Sequence, residues 1–336
     1  MGLRTKLRRN NMIHGLAITT PIVGTIRLGE VAVNANDKRV PVRLNHFKIT
    51  AQYKDSEGQW VEHPAHKAAC AAANVESDKL TEIPVRLMFN SVDLNLRARY
   101  EAFDKTGRIV CAGNGCTARR STGKSIEEVQ CIGADHCDFG IQNRCNLFAR
   151  LNVQIDVPGA DQDEFSSFIL RTESVNAVRT LYAKMKRMHA YFGGRLIGIP
   201  FVLKLRQKAS SMSYWSKFWY ADLMLNKISA AEAIKAAIAY EEALEEVGID
   251  QAAYEQEVLA GLSMGAFEEG SEDFVELEAF LLAREGVEDE QPHAGAPTTT
   301  TNTPPAPQAP ISGLDSLLNL IDVAGDAGAL KVTAPA

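Results

Sequence analysis

Residues 94–103 alternate strictly between polar and apolar side chains, and this pattern constrains the fold more than any other segment does. One face carries Asn95, Arg97, Arg99 and Glu101, and the other carries Leu94, Leu96, Ala98 and Tyr100. A period of two is typical of a half-buried β-strand. Strand-like segments separated by turn formers recur at residues 22–53, 83–89, 147–157, 165–171, 195–207 and 216–226. The sequence therefore predicts an α+β fold whose body is mainly antiparallel sheet.

Two parts of the chain predict helices instead. Between residues 175 and 193, apolar side chains recur three or four positions apart, which is the period of an amphipathic helix ending at Gly193 and Gly194. Residues 229–290 are rich in Ala, Glu and Leu and predict two or three acidic helices. Between the strands, the proline in His63-Pro64-Ala65-His66 favours a surface loop over a metal-binding pair of histidines.

Charge divides the chain into two unequal parts. The net charge is −6, but residues 229–336 contain three basic and 21 acidic residues, a net charge of −18. Residues 1–228 therefore form a basic body with a net charge of +12. Residues 291–310 read as a Pro/Thr-rich linker, and 311–336 as a short acidic-apolar tail that we expect to be disordered. An acidic segment tethered to a basic body predicts competition with DNA for the basic surface.

Five of the six cysteines lie between residues 111 and 145. Cys116, Cys131, Cys137 and Cys145 are spaced as candidate ligands of one structural Zn²⁺, in a glycine-rich loop at about residues 105–148 that has little apolar core of its own. Cys111 and His136 are the spare ligand candidates. An iron–sulfur cluster would use the same four thiolates, and a third interpretation is a set of buried thiols without metal.

Around these cysteines the chain resembles a known family. The resemblance is carried by the runs at residues 83–89, 95–100, 113–120, 131–155 and 168–181, in that order along the chain. They are similar to the recombination directionality factors of phages that use large serine integrases, over roughly residues 20–228. The resemblance implies a protein that binds an integrase on its DNA and redirects recombination from integration to excision. Relatives in this family often carry the label of metal-binding protein.

The basic body contains several candidate contacts to DNA. These residues are Arg119, Arg120, Arg171, Arg179, Lys204, Arg206, Lys208, Trp215, Lys217 and Trp219. In the stretch from residue 204 to 220, basic and aromatic side chains alternate in a manner typical of surfaces that hold single strands by stacking. The competing interpretation is an ordinary strand pair whose aromatic rings face the core. The second function that fits is therefore a single-stranded DNA-binding or annealing protein with a regulatory acidic tail.

Other classes of function find little support in the sequence. The chain carries no phosphate-binding glycine loop, no G-x-S-x-G and no H-E-x-x-H, so we expect a protein that is not an enzyme. No apolar run is long enough to cross a membrane, and no export signal is evident. We therefore expect a protein of the bacterial host cytoplasm whose partners are DNA and a recombinase or integrase. A homo-oligomer is compatible with these features.

Overall fold

Twelve β-strands organise the body in a computed structural model, which describes residues 17–33, 39–104, 106–209 and 217–268. The strands are β1 Ile22–Val33, β2 Arg39–Lys54, β3 Trp60–Glu62, β4 Glu82–Arg86, β5 Leu96–Phe103, β6 Ile109–Gly113, β7 Thr117–Ser121, β8 Ile126–Gln130, β9 Asn146–Ile155, β10 Ser167–Thr172, β11 Phe201–Ala209 and β12 Lys217–Leu225. Nine of them lie in the order β3-β2-β1-β10-β9-β5-β6-β7-β8, and β9 also pairs with a β4-β11-β12 ribbon. The predicted α+β fold with a large, mostly antiparallel sheet is confirmed.

The sheet is built on in-register apolar rows. Leu96 on β5 pairs with Leu151 on β9, which pairs with Leu170 on β10, and Leu170 pairs in turn with Ile26 on β1. The β1–β10 pair is parallel, and every other strand pair in the described part of the chain is antiparallel. These side chains are buried in the main hydrophobic core, and Ala98 packs against it. The strand that we predicted to be half-buried is largely buried on both faces, because Asn95, Arg97 and Glu101 are buried too.

Six helices and one 3-10 turn at Ser77–Lys79 accompany the described strands. The helices are α1 Pro64–Ala73, α2 Val92–Asn95, α3 Asp138–Gln142, α4 Val175–Tyr191, α5 Ala230–Glu246 and α6 Gln251–Ser263. The predicted helix at 175–193 is α4: the Ser174 hydroxyl caps its first turn, and Val178, Leu181 and Met185 are buried. The predicted strand at 195–207 begins only at Phe201, because Gly198 turns the backbone with a φ of +72°.

The surface loop expected at residues 63–66 is wrong. His63 is buried, and its Nδ1 accepts a hydrogen bond from the Ala65 amide over 3.1 Å, so His63 is the N-cap of α1. Pro64 starts the helix instead of preventing it, because the first helical position needs no amide donor. His66 is also buried, with its Nδ1 accepting from the Ile49 amide.

The first two acidic helices pack against the same body as the sheet. Ala233 and Ala237 of α5 belong to the main core. Tyr254 of α6 packs beside Phe89, and the Glu255 carboxylate accepts hydrogen bonds from the amides of Asn90 and Ser91. Residues 269–290, the linker at 291–310 and the tail at 311–336 lie outside the described residues.

Candidate functional site

Four cysteines line one small cavity beside the sheet. Cys111 lies on β6, Cys131 follows β8, Cys137 precedes α3 and Cys145 precedes β9. The cavity has a volume of about 10 Å³, the size of one small ion or water molecule, and its other lining residues include Arg120. Three of the four predicted ligands therefore meet, together with Cys111.

Cys116 lies outside this cavity. It is exposed at the tip of the β6–β7 hairpin, where its carbonyl accepts a hydrogen bond from the Cys131 amide over 2.9 Å. Cys111, by contrast, is buried in register with Arg120 on β7. The signal that would have placed Cys111 is the two-residue periodicity of β6, because Gly113, two positions later, is the other β6 residue that lines the cavity.

Close backbone approach makes the cavity compact. A Cβ at Gly113 would lie 2.7 Å from the Cys131 sulfur, and a Cβ at Gly140 would lie 3.1 Å from that of Cys145. A side chain at Gly113 would therefore displace Cys131, and one at Gly140 would make a tight contact, so both glycines allow the cysteine-bearing loop to approach the strands closely.

Hydrogen-bond donors point at the sulfurs. The Arg120 Nη2 group donates to the Cys137 sulfur over 3.5 Å, and the Gly140 amide donates to the same sulfur over 3.4 Å. The Arg120 guanidinium also lies 4.1 Å from the centre of the Phe139 ring. Burial raises the pKa of the Cys111 thiol, although Arg120 acts in the opposite direction. None of the six cysteines forms a disulfide bond. Within the described ranges, no group of three or more His, Cys, Asp or Glu side chains is arranged to hold a metal ion.

A second cluster is a row of cations across five strands. Arg97 pairs in register with Arg150, Arg150 with Arg171, and Arg27 with Lys48. Arg27 and Arg171 directly follow the paired residues of β1 and β10, so the row continues from β5 to β2. We call these five residues the arginine row. Its four arginines are buried, and Arg171, a predicted DNA contact, is one of them.

Carboxylates neutralise part of the positive charge of the arginine row. Arg150 forms two hydrogen bonds of 2.8 Å to the buried Glu101. Arg97 donates from Nε to Glu268 over 2.7 Å and from Nη2 to the Asn152 side chain over 2.8 Å. Burial acts to raise the pKa of Glu268, but the nearby arginines outweigh it and hold that pKa below its usual value. The row is therefore an internal ion-pair network in this conformation.

A third feature is the outer face of α4, where basic and aromatic residues are exposed. We call it the α4 surface, and its members are Arg179, Tyr182, Lys186, Arg187 and Tyr191. Tyr191 is 73% exposed, and Lys186 lies 5.2 Å from the centre of the Tyr182 ring. Lys186 also forms an ion pair with Asp93, over a distance of 3.5 Å. This surface combines cations with rings that are accessible to a partner.

Other predicted contacts lie beside α4, on β11. Lys208 donates to the Asn176 side chain in the first turn of the helix over 3.0 Å. Arg206 and Lys184 of α4 both pair with the buried Asp222, over 2.6 and 2.7 Å. Lys204 pairs with Glu82. These cations therefore fasten the β11–β12 ribbon to its neighbours as well as contributing charge.

The remaining predicted contacts are spread over the molecule. Trp219 is half-buried and packs against the main core, on the β12 position that pairs with Gln207. Lys217 is exposed at the start of β12. Arg119 is exposed on β7 and donates to the Gly265 carbonyl over 2.7 Å, whereas Arg120 lines the thiol cavity. Trp215 lies outside the described residues.

Comparison with known proteins shows the family to which the chain belongs. In the described part of the chain, no helix is both long and apolar enough to cross a membrane. No curated protein and no solved structure matches the chain. A family model described as Gp3-like, recombination directionality factor-like, matches residues 23–226, which are more than half of the chain and run from β1 to the end of β12. The chain belongs to this Gp3-like, recombination directionality factor-like family.

Proposed function

We propose that this protein is an accessory factor of phage or mobile-element recombination, which binds DNA and a recombinase and directs the recombinase towards excision. The observation that carries the proposal is the match of the recombination directionality factor-like family to residues 23–226. The match spans all twelve strands and α1 to α4. The protein acts by binding rather than by catalysis.

The exposed arginines of the α4 surface are the residues that we assign to DNA. Arg179 and Arg187 are exposed there, and Lys208 lies beside the first turn of the same helix. Cations that neutralise phosphates gain affinity through the release of counterions, without any need for base-specific contacts. The arginine row is less suited to this role because its arginines are buried.

The aromatic part of the same helix is the region we assign to the recombinase. Tyr191 is 73% exposed and Val175 is 57% exposed, at opposite ends of α4. Exposed apolar side chains rimmed by charge are typical of surfaces that bind other proteins. A factor that contacts both DNA and the recombinase along one helix would hold the two in a fixed relative orientation.

The single-stranded DNA-binding alternative is less well supported. It depends on aromatic rings that are free to stack on bases. The half-buried Trp219 packs against the core, and Phe218 and Tyr220, which lie on the Arg206 side of the ribbon, are only partly exposed. We therefore retain the recombination factor as the principal function. We also place the protein in the cytoplasm of the bacterial host, where its DNA substrate resides.

The decisive experiment is a reconstituted recombination assay with the recombinase encoded nearest to the gene. Adding the full chain should start recombination between the hybrid sites of the integrated element and suppress recombination between the parental sites. Arg179→Gln/Arg187→Gln should lose this effect, whereas Arg108→Gln/Lys124→Gln, which removes the same charge from exposed positions on other hairpins, should retain it. A chain that leaves both reactions unchanged while annealing complementary strands alone would support the alternative function instead.

A further inference from the structure

We propose that Cys111, Cys131, Cys137 and Cys145 bind one Zn²⁺ in the cavity beside β6 and β7. This ligand set replaces Cys116, which spacing alone had favoured, with the buried Cys111. The site would join three segments that are distant along the chain: β6, the loop after β8 and the turn around α3.

The side chains that line the cavity favour Zn²⁺ over other divalent ions. The cavity walls combine four cysteine sulfurs with apolar groups and with the side chains of Tyr100, Arg120 and Gln130, and the lining contains no carboxylate or imidazole. Soft thiolates favour Zn²⁺ over Mg²⁺ or Ca²⁺, and four of them complete its preferred tetrahedron. A closed four-sulfur site leaves no coordination position for substrate, so the ion has a structural role.

The size of the cavity favours a single ion over an iron–sulfur cluster. A volume of about 10 Å³ accommodates one ion, whereas an iron–sulfur cluster adds several iron and sulfide atoms between the same ligands. A Cβ at Gly113 or Gly140 would contact a ligand cysteine, so the absence of a side chain at these positions leaves room for the sulfurs. The same glycines let the cysteine-bearing segments approach one centre.

Arg120 and the Gly140 amide supply the outer contacts that such a site needs. Four thiolates around Zn²⁺ leave a net charge of −2, which a buried site must offset. Arg120 interacts with both Cys111 and Cys137, and the Gly140 amide donates to Cys137. Binding requires the sulfurs to close inward on the ion, with the four thiol protons released to solvent.

The first test measures metal in the full-length protein. Purified chain should contain about one zinc per molecule, and Co²⁺ in its place should give the visible absorption of tetrahedral thiolate coordination. Cys111→Ser should lower zinc content to a small fraction of that of the wild type, whereas Cys116→Ser and the α1 variant Cys70→Ser should keep it. Zinc lost from Cys116→Ser but kept by Cys111→Ser would overturn the ligand set.

A second test does not depend on whether the variants fold. The wild-type chain is treated with an alkylating reagent with and without a zinc chelator, and each modified cysteine is identified by mass spectrometry. Zinc should protect the four cavity cysteines, while the exposed Cys116 should react in both samples. Equal labelling of all five cysteines in the zinc-loaded and chelated samples, an absence of bound zinc, or an iron chromophore with acid-labile sulfide would each refute the proposal.

Discussion

Arg97 and Glu268 form a buried ion pair that fastens the start of an acidic run to the middle of the sheet. The Arg97 Nε group donates to the Glu268 carboxylate over 2.7 Å, and only 3% of the Glu268 side chain is exposed. Glu268 belongs to the acidic part of the chain that we expect to compete with DNA, and it contacts the buried arginine row. The competition itself stays a prediction.

Glu268→Gln should lower the free energy of unfolding by about 1–3 kcal/mol, because Arg97 loses its charged partner inside the protein. The pKa of Glu268 lies below its ordinary value of 4.5. The contribution of the ion pair is therefore complete above pH 4.5 and is lost as the pH falls through the lowered pKa. Urea denaturation at pH 7 and pH 3 tests both points. The exposed Glu257→Gln in α6 is the control, with an expected change within about 0.5 kcal/mol. Equal stability of the two variants at pH 7 would show that the pair contributes nothing.

Deleting residues 269–336 should tighten binding to DNA at low salt. That segment carries 12 acidic and two basic residues, and its removal leaves every described helix and strand in place. Electrostatic competition is screened by salt, so the difference from the intact chain should shrink as salt is added. Fluorescence anisotropy with a labelled duplex measures the affinity at low salt and its change with added salt. Thermal unfolding checks that the shortened chain is folded. An affinity that does not change at low salt would argue that the segment does not compete.

Arg179→Gln/Arg187→Gln should weaken DNA binding and reduce its salt dependence. If each arginine neutralises one phosphate, the slope of log affinity against log salt should become about 2 units less steep. Binding titrations at four or more salt concentrations give the slope. Arg108→Gln/Lys124→Gln should leave the slope unchanged. If the two double variants reduce the slope equally, the charge of the whole body, rather than the α4 surface, is what binds DNA.

Two buried histidines should make stability depend on pH. Burial lowers the pKa of His63 and of His66, with smaller opposing effects from Asp161 and Glu62. The unfolded chain therefore takes up protons first as the pH falls below 6.5, so stability is complete above pH 6.5 and decreases below it. His63→Asn keeps a side-chain cap on α1 that does not titrate and should make this pH dependence shallower. Denaturation curves between pH 5 and 8 measure the slope. A slope identical to that of the wild type would mean that His63 titrates equally in both states.

Gly198→Ala should destabilise the protein through α5. The added Cβ would lie 2.4 Å from the Tyr240 Cβ, and the backbone at Gly198 has a φ of +72°. Gly123→Ala is a matched control, because Gly123 has a φ of +82° and no heavy atom within 4 Å of an added Cβ. We expect about 1–2 kcal/mol for the control from backbone strain, and a further 1–3 kcal/mol, roughly, at Gly198 from overpacking. Thermal unfolding compares the two. Equal losses would show that α5 is free to move away from the sheet.

The sequence predicted best those elements whose polar and apolar side chains repeat at a regular interval along the chain. The alternation at residues 94–103 corresponds to β5, except that Leu94 and Asn95 belong to α2, and the helical spacing at 175–193 corresponds to α4. Side chains of one strand or helix repeat at fixed intervals along the chain, which is why both patterns were visible. Exceptions arose where one residue changed the local geometry. Pro64 started a helix, and Gly198 delayed the start of β11.

Tertiary structure alone decided which distant residues meet. Cys111 and Cys145 line one cavity although 34 positions separate them, whereas Cys116 faces outward at the tip of a hairpin. Arg27, Arg97 and Arg171 join one row only because five strands pair in a particular register. A register shift of one residue would send each of these side chains to the opposite face, and nothing in the local sequence states which strands become neighbours. The residue types of both clusters are thus fixed by the sequence, while their juxtaposition is fixed by strand pairing.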